Sequence, residues 1–77
     1  MHTIDEIMKI LAEVKPGLSA GPDDELVRTG LLDSVEIMSV VMALAEEFDL
    51  EISQLDLKEE NFNTANAILA LVNRLEA

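Results

Sequence analysis

The apolar residues of the first segment recur every three or four positions, at Ile4, Ile7, Leu11 and Val14. This spacing predicts one face of an amphipathic helix. Thr3 and Glu6 have the spacing of a capping box, which predicts that the helix begins there. Lys15, Pro16 and Gly17 follow the last apolar residue and predict the end of the helix.

A long loop is predicted over residues 16–32, because glycine and proline recur through it at Gly17, Gly21, Pro22 and Gly30. At most a turn of helix is expected, over residues 23–27. The loop also contains apolar residues that we expect to pack on the core: Leu18, Leu26, Val27, Leu31 and Leu32. A loop of this length in a small domain is typically functional.

Three further helical segments are predicted after the loop. The second helix begins at Asp33 and Ser34, with Asp33 as its cap and Glu36 at capping-box spacing, and runs to about Asp49. A short third helix or turn is expected over residues 55–61. Asn63 or Thr64 caps the last helix, whose inward stripe is Ile68, Leu71, Val72 and Leu75. No segment alternates with period two. The fold class is therefore all-α: a small four-helix bundle with a long loop between helices 1 and 2.

The second helix has two apolar stripes. On a wheel of 3.6 residues per turn, the predicted core face contains Ile37, Val41, Leu44 and Phe48. A second stripe contains Val35, Met38, Met42 and Ala45. A surface helix of a small bundle needs only one such stripe. Two interpretations stay open: neighbouring helices bury both stripes, or the second stripe is an exposed patch where partners dock.

Length and composition limit the possible classes of protein. With 77 residues, we expect a single domain over residues 1–77. The hydrophobic fraction of 49% argues against disorder. The chain has no cysteine, so disulfides, zinc–cysteine sites and cysteine nucleophiles are excluded.

The net charge of −11 predicts the kind of partner. So acidic a chain repels nucleic acid and anionic membranes and favours partners with basic surfaces. Asp5 and Glu6 lie where a targeting segment would carry positive charge, and no apolar run is long enough to cross a bilayer. We therefore expect a cytoplasmic protein that inserts into no membrane and binds no nucleic acid.

Ser34 is the residue with the most specific chemical signal. A serine at a helix start is most often only a cap. However, the run from Gly30 through Leu31, Leu32, Asp33, Ser34 and Val35 to Glu36 resembles the phosphopantetheine attachment segment of acyl carrier proteins and peptidyl carrier domains. The resemblance extends over most of the chain. It includes the order of the helices, the Glu46-Glu47-Phe48 end of the second helix, Ile52-Ser53, and Phe62 with Thr64 before the last helix.

The resemblance implies a cofactor and a set of partners. Ser34 would receive 4′-phosphopantetheine from coenzyme A through a phosphopantetheinyl transferase, and Asp33 is the motif residue before it. Val35 stands where the family usually has leucine. Further expected partners are an acyl- or aminoacyl-loading ligase or transferase and a downstream synthase with a basic docking surface. They would bind a monomeric carrier on the second helix at Val35, Glu36, Met38, Met42 and Glu46.

The sequence is compatible with several classes of cargo. Ser39 and Ala45 occupy positions where fatty-acid carriers commonly have glutamate. The run from Thr29 to Ser34 also resembles D-alanyl carrier proteins. Fatty acid, polyketide, peptide and D-alanylation pathways all remain possible.

Three other functions compete with the carrier interpretation. A Ser–His hydrolase would need a base beside Ser34, and His2, expected to be exposed at the terminus, is a poor one. Asp49, Glu51, Ser53 and Glu60 have EF-hand spacing, but Gln54 replaces the glycine that the turn needs. The third alternative is an unmodified helical interaction module with the same fold.

Overall fold

The computed structural model describes residues 1–76 and contains four α-helices within that range. They are α1 (Ile4–Val14), α2 (Ser34–Phe48), α3 (Glu59–Phe62) and α4 (Ala65–Glu76), with a 3-10 turn at Gln54–Asp56. No β-strand occurs in the described residues, which confirms the all-α prediction. None of the helices between residues 1 and 76 is both long enough and apolar enough to cross a membrane.

Side chains cap three of the helices as the sequence predicts. The Glu6 carboxylate accepts a hydrogen bond from the Thr3 N–H (2.9 Å) at the start of α1. This bond, assisted by His2, lowers the pKa of Glu6. At α4, the Thr64 hydroxyl accepts from the Ala67 N–H (3.0 Å), so Thr64 rather than Asn63 is the capping side chain. The cap of α2 is described with the site below.

The core is aliphatic around a single phenylalanine. Helix α1 packs against both α2 and α4, and α3 packs against α4. The buried apolar side chains are Ile7, Ile10, Leu11, Leu26, Leu32, Val40, Val41, Leu44, Phe62, Ala65, Ile68, Leu71 and Val72. Leu26 and Leu32 come from the long loop, so the loop is part of the core.

The predicted apolar stripes overlap the buried faces of the helices, but the stripes of α1 and α2 each omit one buried residue. Ile10 and Val40 are buried although neither was assigned to a stripe. Ile37 and Phe48, predicted to be core residues of α2, are half-buried and pack on the core edge. The buried face of α2 is therefore rotated toward Val40.

The predicted turn of helix at residues 23–27 is wrong. The N–H groups of Leu26, Val27 and Arg28 do not bond to carbonyls one turn earlier. They donate to Asn63, at its carbonyl oxygen (2.6 Å) and at its Oδ1 (3.1 Å each). Asn63 is itself buried, and its Nδ2 donates to Glu25 (3.2 Å). One side chain at the junction of α3 and α4 thus fixes the middle of the long loop.

The single short third helix predicted over residues 55–61 is two separate elements. The 3-10 turn ends at Asp56, and α3 begins at Glu59. Leu57 (ψ 67°) and Lys58 (ψ 145°) between them have non-helical backbone angles, which interrupts the helix.

His2 is not an exposed terminal residue, which corrects the prediction. Its ring stacks on Phe48 with 3.8 Å between ring centroids. Its backbone N–H donates to Asn73 (2.9 Å), and its ring nitrogens contact Glu6 and Glu76. His2 therefore joins the ends of α1, α2 and α4.

Candidate functional site

Ser34 is the first residue of α2 and is exposed. Asp33 caps the helix: its Oδ1 accepts from the Glu36 N–H (2.8 Å), while Glu36 Oε1 accepts from the Asp33 N–H (2.9 Å). The predicted capping box at α2 is confirmed. Because Asp33 provides the cap, the Ser34 hydroxyl is not needed for it. The N–H groups of Ser34 and Val35 have no acceptor among residues 1–76, as is usual for a first helical turn.

The backbone before Ser34 explains the residue types of the motif. Gly30 has φ +77°, a conformation that strains other residues, and its N–H closes a turn onto the Val27 carbonyl (3.1 Å). The Leu32 N–H then donates to the Leu26 carbonyl (3.0 Å), and the Leu32 side chain is buried. The turn and the buried leucine together leave Ser34 on the outside at the start of α2.

Glu36 has a structural role in this arrangement. Its carboxylate accepts from the Asp33 N–H and also lies 3.4 Å from Lys15 Nζ. Lys15 Nζ in turn donates to the Leu31 carbonyl. Glu36 therefore connects the end of α1, the loop and the α2 cap, and it is half-buried.

A groove of about 520 Å³ opens beside Ser34, between the long loop, the start of α2 and α3. Small-molecule sites commonly have about 300–1,000 Å³. Apolar side chains form most of its wall, namely Val27, Leu32, Ile37, Met38, Leu57 and Phe62. Its polar lining consists of Asp33, Ser34, Lys58 and Glu59. Leu57 and Lys58 were not predicted from the sequence, because only the fold brings them into the same groove as Ser34.

Of the charged residues that line this groove, Glu59 is in an ion pair. Arg28 Nε donates to Glu59 Oε2 (3.0 Å), and this hydrogen bond raises the pKa of Arg28. Arg28 also lies 3.7 Å from Glu25. The Glu59 charge is thus compensated by Arg28, whereas Lys58 has no ion-pair partner among the described residues.

The second apolar stripe of α2 is exposed at three of its four positions. The exposed fractions are 75% for Val35, 48% for Met38 and 62% for Met42, while Ala45 is half-buried. The interpretation in which neighbouring helices bury this stripe is therefore wrong. Glu46 is exposed as well. We call Val35, Met38, Met42 and Glu46 the α2 face.

No group of three or more acidic or histidine side chains among residues 1–76 has the geometry of a metal site. The residues around Ser34 instead fit a phosphate ester with an extended organic arm. An exposed hydroxyl stands at a helix start with unpaired N–H groups, where the helix dipole favours an anion. The groove beside it provides apolar walls for the rest of the group.

The chain is similar to a known protein family over most of its length. A family model described as "Phosphopantetheine attachment site" matches residues 5–72. The chain belongs to this family. Members of the phosphopantetheine attachment family are carriers rather than enzymes, and their cofactor is covalently attached 4′-phosphopantetheine. The inference from the sequence that this chain is a carrier is confirmed.

Curated relatives of this carrier match it over nearly its full length. The D-alanyl carrier protein of Staphylococcus saprophyticus is 27% identical, with 97% of this chain and 99% of the relative covered. The D-alanyl carrier protein of Lactobacillus acidophilus is 30% identical (99% and 98% covered). That of Lactobacillus delbrueckii subsp. bulgaricus is 29% identical (92% and 90% covered).

Proposed function

We propose that this chain is an aminoacyl carrier that bears its phosphopantetheine on Ser34. The observation that carries the proposal is the position of Ser34: it is an exposed hydroxyl at the start of α2, beside the groove and within the matched residues. Ser34 is not needed as a cap, because Asp33 fills that role.

The loading step is a transfer between two oxygen atoms. In the active site of a phosphopantetheinyl transferase, Ser34 Oγ attacks the phosphorus of coenzyme A that bears the pantetheine arm. A new P–O bond forms to Ser34, and the bond to the departing adenosine bisphosphate breaks. The transferase removes the hydroxyl proton, since the described structure places no base in hydrogen-bond contact with Ser34.

The attached arm supplies a terminal thiol, which this cysteine-free chain lacks and which forms a thioester with the cargo. The chain's own role is to hold the arm at a fixed place and to present it to partners. Tethering raises the effective concentration of the cargo near a partner's active site. We propose the α2 face as the surface that partners bind, because it is apolar, flexible in its two methionines and bordered by acid.

D-Alanine is the cargo that we propose, because the three relatives above are D-alanyl carrier proteins. Fatty-acid carriers commonly have glutamate where this chain has Ser39 and Ala45. These two residues therefore agree with an aminoacyl rather than a fatty-acyl cargo. The loading partner would then be a D-alanine ligase that activates the carboxylate with ATP.

The cargo is tested on the chain carrying phosphopantetheine. We expect a D-alanine ligase with ATP to add one D-alanyl group to this form, and hydroxylamine to release it, as a thioester requires. Glycine, L-alanine and a medium-chain fatty acid with its own ligase serve as competitors. Efficient loading of the fatty acid, together with no loading of D-alanine, would contradict the assignment of the cargo and leave the carrier function intact.

A further inference from the structure

Lys58 lines the groove and forms no ion pair with the described residues. The chain has five lysine and arginine residues in total. Lys15 contacts Glu36 and the Leu31 carbonyl, and Arg28 contacts Glu59 and Glu25. Arg74 contacts Asn61, and Lys9 belongs to α1, away from the groove. Within residues 1–76, Lys58 lines the groove with no carboxylate in ion-pair contact.

The backbone holds Lys58 at this place. It is the N-cap residue of α3, with its N–H donating to the Asp56 carbonyl (2.9 Å) and its carbonyl accepting from the Asn61 N–H (3.0 Å). In this position Lys58 lines the groove together with Ser34 and Met38 of α2.

The start of α2 favours an anion on Ser34, but the negative charge of the rest of the chain repels it. The net charge of the chain is −11, and Asp33 adjoins the attachment residue. A phosphodiester adds one further negative charge there. A cation that lines the same groove can offset this repulsion, whereas distant charges are screened within about 10 Å at ordinary ionic strength.

We infer that Lys58 pairs with the phosphodiester on Ser34 and so positions the arm along the groove toward Leu57 and Met38. The inference rests on the proposed attachment of phosphopantetheine to Ser34. Lys58 acts as a positioning residue: it holds the arm and takes no part in forming the thioester. In this position the arm lies against the apolar wall until a partner draws it out.

The strength of such a pair is modest, because Lys58 is exposed. Exposed ion pairs contribute little, so the ratio of docked to free arm should change by roughly two- to fivefold when the pair is lost. A change of this size keeps the arm easy to release, as a carrier requires.

The test follows the mobility of the arm by NMR. Wild type, Lys58→Gln, Lys58→Arg and Lys9→Gln are loaded with phosphopantetheine whose amide next to the phosphate end is labelled with ¹⁵N. Lys9→Gln is the matched control, since Lys9 is exposed and lies outside the groove. Relaxation of the labelled amide measures how much the arm moves, with the urea-unfolded loaded chain as the reference for a free arm.

We expect a more mobile arm in Lys58→Gln, with wild-type mobility in Lys58→Arg and Lys9→Gln. High salt should shift wild type toward Lys58→Gln and leave that variant unchanged. Equal arm mobility in wild type and Lys58→Gln would overturn the inference while leaving the carrier function standing. Failure of the folded wild-type chain to accept any arm would instead contradict the proposed function, and intact mass separates these two outcomes.

Discussion

Replacing Asn63 by alanine is expected to destabilise the fold by about 2–4 kcal/mol, because the N–H groups of Val27 and Arg28 lose their shared acceptor. A domain of this length has a total stability of roughly 4–12 kcal/mol, so the loss is a large part of it. The corresponding fall in melting temperature is about 10–25 °C. Thermal unfolding followed by circular dichroism measures it. Hydrogen exchange of the Val27 and Arg28 amides should accelerate as well.

Asn66→Ala is the matched control for this prediction. Asn66 also connects α4 to the loop, through its Nδ2 and Asp23 Oδ1 (2.7 Å), but it is exposed. Water can replace that bond when the side chain is removed, so we expect a loss of about 1 kcal/mol or less. If Asn63→Ala melts no lower than Asn66→Ala, Asn63 does not hold the loop as described.

Replacing Met42 by glutamate is expected to weaken the productive encounter with loading partners without changing the fold. Met42 is 62% exposed and does not contribute to the buried core, so the free energy of unfolding should change by about 0.5 kcal/mol or less. Loss of a central apolar contact at an interface commonly costs about 1–3 kcal/mol, which corresponds to a fall of roughly 5- to 150-fold in kcat/KM. The rate of phosphopantetheine transfer at several carrier concentrations measures the effect.

Leu55→Glu controls for the added charge. Leu55 is 82% exposed and equally apolar, but it belongs to the 3-10 turn rather than to α2. We expect its kcat/KM to stay within about twofold of wild type, because a surface substitution outside an interface has little effect. An equal loss in both variants would mean that net charge, and not the α2 face, controls the encounter.

The parts of the fold that short-range rules govern could be predicted from the sequence. Asp33 and Glu36 form the expected capping box, since a cap depends only on residues three positions apart. The end of α1 at Val14 likewise follows from Pro16 and Gly17. The start of α2, and therefore the placement of Ser34, was predictable for the same reason.

Features that depend on contacts between distant segments could not be predicted. Asn63 looked like a helix cap, but it binds the backbone of Val27 and Arg28, more than thirty residues away in sequence. The sequence predicted an exposed His2, but in the structure its ring stacks on Phe48. Lys58 belongs to no sequence motif, and only the fold shows that it lines the groove beside Ser34.

The exposure of the second stripe on α2 also needed the structure. Wheel geometry separates two apolar stripes but does not tell which of them the other helices cover. The structure buries Val40, Val41 and Leu44 of α2 and leaves Met38 and Met42 exposed.

The central claim, attachment at Ser34, is tested most directly by intact mass spectrometry. The folded chain and its Ser34→Ala variant are incubated with coenzyme A and a phosphopantetheinyl transferase of broad specificity. We expect wild type to gain the mass of one phosphopantetheine group and Ser34→Ala to gain nothing. The same gain in Ser34→Ala would contradict the assignment of the attachment residue. No gain in folded wild type with several transferases would contradict loading altogether and favour an unmodified helical interaction module.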